Sequence, residues 1–370
     1  MAQGKVSVAS LNTGNGATKA VERSILMIGV GTENLQQIVA INAQSDFDTL
    51  ISSADSELKT QLNAWLRNGD DLVSGWAIPI TAGDNILGLI DTAMDQDISP
   101  EIIVICSPVT GKADVEAYQA KMQSILSSHA RRVRLLVAAP GCDPTADTGQ
   151  TWAAHLAAVQ PLVDGVVADR VAVIPSLYGD ELGAVAGRLC KSSITIADSP
   201  MRVQTGALSL SPSPVDKLGL PLTSAVTAAL DNIRFSCTQF YPDFDGIYFG
   251  DVNMLDAQGG DFQKIETGRV VDMAARQVRI KAIYQIKNRR LNNSANGTAF
   301  GKSVLGKPLR DMAKSTNIGS NKFPGLIREP KDDSISLTFT SATQLNVLMK
   351  VQPIDSPSTI LVGIQLDNAE

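Results

Sequence analysis

Apolar and polar positions divide this chain into three rhythms. Between residue 24 and about 200, short and mainly apolar runs alternate with amphipathic stretches. The runs are SILMIGVG (24–31), WAIPI (76–80), EIIVICS (101–107), VRLLVAAP (133–140) and DRVAVIPS (169–176). Continuous apolarity of this kind suits strands buried on both faces, as in a parallel or mixed sheet covered by helices. Residues 46–68 bring Phe47, Leu50, Ile51, Leu58, Leu62, Trp65 and Leu66 near helical spacing. Further helical patterns cover about 84–95, 111–130, 150–161 and 179–190. The first half therefore reads as an α/β domain.

The second rhythm begins after a Ser/Pro/Gly-rich connection, TGALSLSPSPVDKLGL (205–220), and a helical stretch at 220–234. An aromatic, Asp-rich strand-and-turn segment from Tyr241 runs into one increasingly basic helix that ends near Arg290. A helix of about 30 residues would be roughly 45 Å long. An exposed Asn/Ser/Gly linker (292–303) and a second basic stretch, GKPLRDMAK (306–314), follow. In the third rhythm polarity alternates residue by residue. Ile335, Leu337 and Phe339 share one side of a strand, as do Leu345, Val347, Met349 and Val351. Ile360, Val362, Ile364 and Leu366 do the same in TILVGIQL (359–366). A similar short strand, KVSVASL (5–11), precedes a flexible NTGNGAT, so strands stand near both ends of the sequence. Such strands pair within the chain or add to a neighbour's sheet, and the pattern alone favours the first.

Charge changes this picture in one place. The net charge is −6, but residues 264–331 hold fifteen Lys/Arg against four acids, a block of +11 inside a remainder of −17. Such a block wants an acidic partner or a solvated face. It is poor in aromatics and shows no helix-turn-helix or stacking platform, so nucleic acid is a weaker reading. No secretory signal pattern or apolar window of about 18 residues is evident. Cys106, Cys142, Cys190 and Cys237 are widely spaced, which suits buried thiols in a reduced, cytoplasmic setting.

Candidate chemistry is sparse. Gly29 and Gly31 follow a strand, but Asn34 stands where a dinucleotide fingerprint needs its third glycine, and no phosphate loop is present. A nucleotide-binding α/β enzyme is the alternative this leaves open. His129 fits a helix end and His155 a packed helix; no Ser lies in a nucleophile elbow. Asp243, Asp245, Asp251 and Asp256 are spaced like turn residues, with Gly246 too early and no terminal Glu for a calcium loop. The expectation is no catalytic residues, no metal and no cofactor.

Four blocks in order carry a resemblance: RVAVIPSLYGDELGAVAGRLC (170–190), ADSPMRVQTGAL (197–208), YPDFDGIYFGDVNML (241–255) and GGDFQKIETGRVVDMAARQVR (259–279). With weaker agreement near VERSILMIGVGTENL, KPLRDMA and the last strands, the chain resembles the tail sheath proteins of contractile bacteriophages, in a compact branch classed only as a domain of unknown function. The resemblance implies an N-terminal α/β domain with a mostly parallel or mixed sheet, plus a C-terminal α+β sheath-type domain with strand-exchange arms. The expected division is an N-terminal arm at 1–20, an outer α/β domain at 21–205, an inner domain at 206–355 and a C-terminal arm at 356–370. It implies a non-enzymatic virion subunit, assembled in the host cytoplasm. Its partners are copies of itself in hexameric rings and a helical sheath, an inner tail tube, and baseplate and tail terminator proteins. Contact with membrane or nucleic acid is not expected; a nucleic-acid-binding virion protein is the remaining alternative. Under this resemblance the arms pair with neighbours, through Lys5, Val6 and Val8 at one end and Ile360, Val362, Ile364 and Leu366 at the other. The basic residues Arg276, Arg279, Lys281, Lys287, Arg289, Arg290, Lys307 and Arg310 become candidates to face an acidic tube. Contraction would then be a rigid-body change between two sets of subunit interfaces, released ring by ring from the baseplate and without ATP.

Overall fold

A computed structural model describes residues 21–341 and 343–361. The apolar runs become the strands β1 (Ser24–Val30), β3 (Ser74–Ile80), β4 (Ile102–Ile105), β5 (Arg134–Ala139) and β6 (Ala168–Pro175). Two short strands that the pattern does not announce, β2 (Val39–Asn42) and β9 (Met254–Leu255), close the edges. The sheet runs β2-β3-β1-β4-β5-β6-β9; its five central strands are parallel and both edges antiparallel.

Alternate residues of each central strand feed opposite layers. Leu26, Ile28, Ile103, Ile105, Leu135 and Val137 pack with α3 (Ile86–Asp95), α4 (Lys112–His129), α5 (Trp152–Val159) and α7 (Ser224–Asn232). Ile25, Met27, Ile102, Val104, Leu136 and Ala138 pack with α1 (Phe47–Leu50), α2 (Glu57–Asn68) and α6 (Glu181–Cys190). Both faces are thus covered, which is why these strands tolerate no polar alternation. The helical pattern at 46–68 is two helices, because the ISSADS segment turns and the Ser56 hydroxyl caps α2 on the Lys59 amide at 3.3 Å.

Helices α2 and α6 approach so closely that Cβ atoms at Gly183 and Gly187 would run into the carbonyl oxygens of Gln61 and Trp65. Gln61 stitches the crossing, donating to the Gly179 carbonyl and accepting from the Gly183 amide, each at 2.7 Å. Beside it, burial drives the Glu181 carboxyl up to about 8, while it accepts from the Tyr178 amide.

The aromatic segment forms a hairpin of β7 (Thr238–Tyr241) and β8 (Phe244–Phe249). The basic helix that follows is α8 (Ile265–Ile283), 19 residues rather than about 30. It stops because Gln285 and Ile286 form three-residue turns back to Ala282 and Ile283, and Lys287 takes φ +62° in the left-handed region. The segment read as a polar linker is largely helical instead: α9 spans Ala295–Met312, with the Ser294 hydroxyl accepting from the Gly297 amide. Its glycines serve packing. A Cβ at Gly301 would lie 2.6 Å from methyls of Leu291 and Leu337. Two further hairpins follow, β10 (Thr316–Ile318) with β11 (Asn321–Phe323), and β12 (Ile335–Ser341) with β13 (Gln344–Met349). Val270, Ala274, Val278, Leu305, Leu309, Ile327 and Ile335 make a third core between α8, α9 and the last hairpin. Residues 206–260, grouped above with the inner domain, give α7 and β9 to the α/β layers. Among the described residues, no helix is long and apolar enough to cross a membrane.

Candidate assembly surfaces

Helix α8 carries two stripes. Val270, Ala274 and Val278 recur every four residues and face the third core. Arg269, Asp272 and Arg276, at i, i+3 and i+7, face the edge of the sheet where the parallel strands begin. Arg269 pairs with Glu101 ahead of β4, Nε to Oε1 at 2.7 Å, and donates to the Leu189 carbonyl at 3.0 Å. Asp272 takes Arg134 at 3.0 Å, Arg170 at 3.2 Å and Arg132 at 3.5 Å. Arg276 pairs with Glu22 ahead of β1. Arg269, Glu101, Asp272, Arg134 and Arg170 are all buried. The surrounding guanidinium groups hold the Asp272 and Glu101 carboxyls below the usual range although burial pushes them up. Part of the basic block is therefore consumed inside the molecule, joining the α/β layers to the C-terminal core. Gly268 leaves room at this junction for the Arg134 guanidinium, which an added Cβ would displace.

The other basic candidates differ in setting. Arg279, Lys287, Arg289 and Lys307 are exposed and Lys281 is half-buried. Arg290 lies over the Phe300 ring at 4.3 Å, and Arg310 is exposed while donating to the Ser303 carbonyl at 2.6 Å. Lys307 and Arg310 share one exposed side of α9. Of the expected arm residues, Lys5, Val6, Val8, Val362, Ile364 and Leu366 lie outside the described residues. Ile360 is 75 % exposed in irregular chain. Just before it, Lys264 ties Ser358 Oγ to Asp251, at 2.7 and 2.6 Å.

The chemical alternatives find other uses for their residues. Gly29 lets β1 lie against Cys106, whose Cβ would be 2.7 Å from an added Cβ. The chain after Gly31 leads to strand β2, so no helix N-terminus is offered to a phosphate there. His155 is buried edge-on to Trp152, and burial lowers its basicity. His129 lies 3.9 Å from an Asp95 oxygen. Asp256 caps its own turn through the Ala257 and Phe262 amides. Among the described residues, no three His, Cys, Asp or Glu side chains are grouped to hold a metal, and Cys106, Cys142, Cys190 and Cys237 are free thiols.

Sequence reasoning missed the buried junction. A signal existed: charges stand at the start of the apolar runs at Glu22-Arg23, Glu101, Arg132 and Asp169-Arg170, matching the charged stripe on α8.

The family model for the DUF2586 N-terminal domain matches residues 3–253, and that for the DUF2586 C-terminal domain matches 261–369. A protein of Haemophilus phage HP1, assigned as a tail sheath protein, is 38 % identical over 367 residues, covering 98 % of this chain and 97 % of that one. The chain belongs to the tail sheath proteins of the DUF2586 family. The sheath fold extends to distant structures. The sheath of an extracellular contractile injection system, PVC, in its contracted state aligns with TM-score 0.64 at 11 % identity, over 100 % of this chain and 98 % of that chain. The sheath tail protein of Desulfitobacterium hafniense aligns with TM-score 0.56 at 13 % identity, over 94 % and 97 %.

Proposed function

We propose that this sheath protein polymerises as stacked six-fold rings around an inner tail tube, and that the array contracts to drive the tube through the host envelope. The near full-length kinship with the phage HP1 sheath protein carries this reading. The fold supports it, because the buried pairs along α8 let the α/β layers and the C-terminal core turn as one piece. The outer domain would then run to about residue 260 and the inner domain from there to 355. Rings would assemble in the host cytoplasm from the baseplate to a tail terminator.

Connections between copies would come from the arms at 1–20 and 356–370. The hairpin β12–β13 is a sheet of only two strands among the described residues. One face of the hairpin packs on the third core while its edges stay open to pairing, so strands added from neighbours would extend it. Electron microscopy of a chain lacking residues 356–370 checks this. The expected result is a folded subunit that forms no tubes, and tubes like those of the intact protein would remove the arm assignment.

Lys307 and Arg310 are the favoured tube-facing pair, because both are exposed on one side of α9. Exposed ion pairs are worth about 0–1 kcal/mol each and can break in sequence as rings turn. Reversing both charges should weaken co-sedimentation with the cognate tube protein by about fivefold or more at low salt. Unchanged binding would move the tube face elsewhere.

A further inference from the structure

Helix α8 has a patch at each end, and the two are complements. Near its beginning stands the β7–β8 hairpin, whose Tyr241 shares a cleft with Lys264 and Glu266. At the tip, Phe244 is 52 % exposed and flanked by the exposed Asp243 and Asp245, neither with an ion pair among the described residues. Tyr241 and Tyr248 brace the Phe244 ring, with centroids 6.4 and 5.7 Å away. Tyr248 donates to the Asp245 carbonyl at 2.9 Å. Asp243 and Gly246 hold positive φ, +59° and +105°, so the turn presents an apolar knob between two carboxylates in one geometry.

Beyond the other end of α8 lies a groove of about 600 Å³ between the turn 285–292 and the last hairpin. Ile286, Leu291, Phe339 and Leu345 line it, and Lys287 and Arg289, both exposed, stand at its rim. Ile286 is 70 % exposed, a large apolar side chain left open beside two cations. The knob and the groove match in polarity: one ring between two acids, one apolar slot beside two bases.

They cannot meet within one molecule, because the 19 residues of α8 separate them by about 28 Å. We infer that the Asp243-Phe244-Asp245 tip of one subunit docks into the Lys287/Arg289 groove of a second copy. Every copy offers both a knob and a groove, so the contact made head-to-tail repeats into rings or helical filaments. This inference rests on the self-assembly proposed above and adds a contact that the arms do not make.

Charge exchange tests it. Asp243→Lys with Asp245→Lys should raise the concentration for half-maximal assembly at least tenfold, read by sedimentation velocity and electron microscopy. Lys287→Glu with Arg289→Glu should do the same. All four changes in one chain should bring assembly back to within about threefold of the natural protein, because opposite charges face each other again. Variants that stay folded by circular dichroism but are not rescued in the fourfold chain would overturn the contact. So would either double variant assembling normally. If the natural protein stays monomeric at every concentration, self-assembly itself fails, a result distinct from loss in the variants alone.

Discussion

Replacing Asp272 by Ala should cost the subunit about 3–5 kcal/mol, the range for removing one partner of a buried ion pair. The loss is large because Asp272 compensates Arg134 and Arg170, both buried, as well as the partly open Arg132. Without the carboxylate, three guanidinium groups face each other at the foot of β5 and β6. Native domains hold only about 5–15 kcal/mol in total, so the variant should melt far earlier in urea. The sign of the pH effect follows from the depressed carboxyl. Its contribution is complete above the unfolded value near 3.9 and is lost as pH falls through the lower folded value. The natural protein should therefore weaken steeply below about pH 4, and the variant less so, since Glu101 keeps the same dependence. A urea midpoint that moves by less than the equivalent of about 1 kcal/mol would show that the junction is not a lock.

Gly183→Leu should be nearly as damaging. In an isolated helix a side chain in place of glycine gains up to about 1 kcal/mol. Here that gain loses to the α2–α6 contact, where even a Cβ would enter the Gln61 carbonyl oxygen. Backbone cannot swing aside as a flexible side chain can. Either the helices part, exposing Leu62, Val185 and Ala186, or the Gln61 bonds to Gly179 and Gly183 break. Overpacking costs typically about 1–3 kcal/mol, and lost hydrogen bonds add to it. A net loss of about 3 kcal/mol by urea unfolding is expected; equal or greater stability would mean that the crossing opens freely.

The five central strands were legible because burial on both faces leaves an apolar run that local reading can see. Edge strands β2 and β9 were not, being short segments held by one neighbour each. The N-terminal half of the basic helix was read correctly as helix and incompletely as surface. The partners of Arg269 and Asp272 lie 168 and 102 residues away, at Glu101 and Arg170, and no window along the chain contains both members. Helix α9 was hidden by composition. Gly297, Gly301, Gly306 and Pro308 each argue against helix locally, yet the glycines are what let α9 lie against Leu291 and Ile335. Of the assembly surfaces, the aromatic turn was visible as a motif. The groove it matches forms only when the 285–292 turn meets the β12–β13 hairpin.

The junction beneath the sheet has a consequence at the opposite rim. All the buried pairs of α8 sit where the parallel strands begin, so the loops after β1, β3, β4, β5 and β6 carry none of that burden. Lengthening a surface loop costs only about 0.6 kcal/mol per doubling. That rim is therefore the place where this subunit can take added sequence while the buried junction keeps its shape.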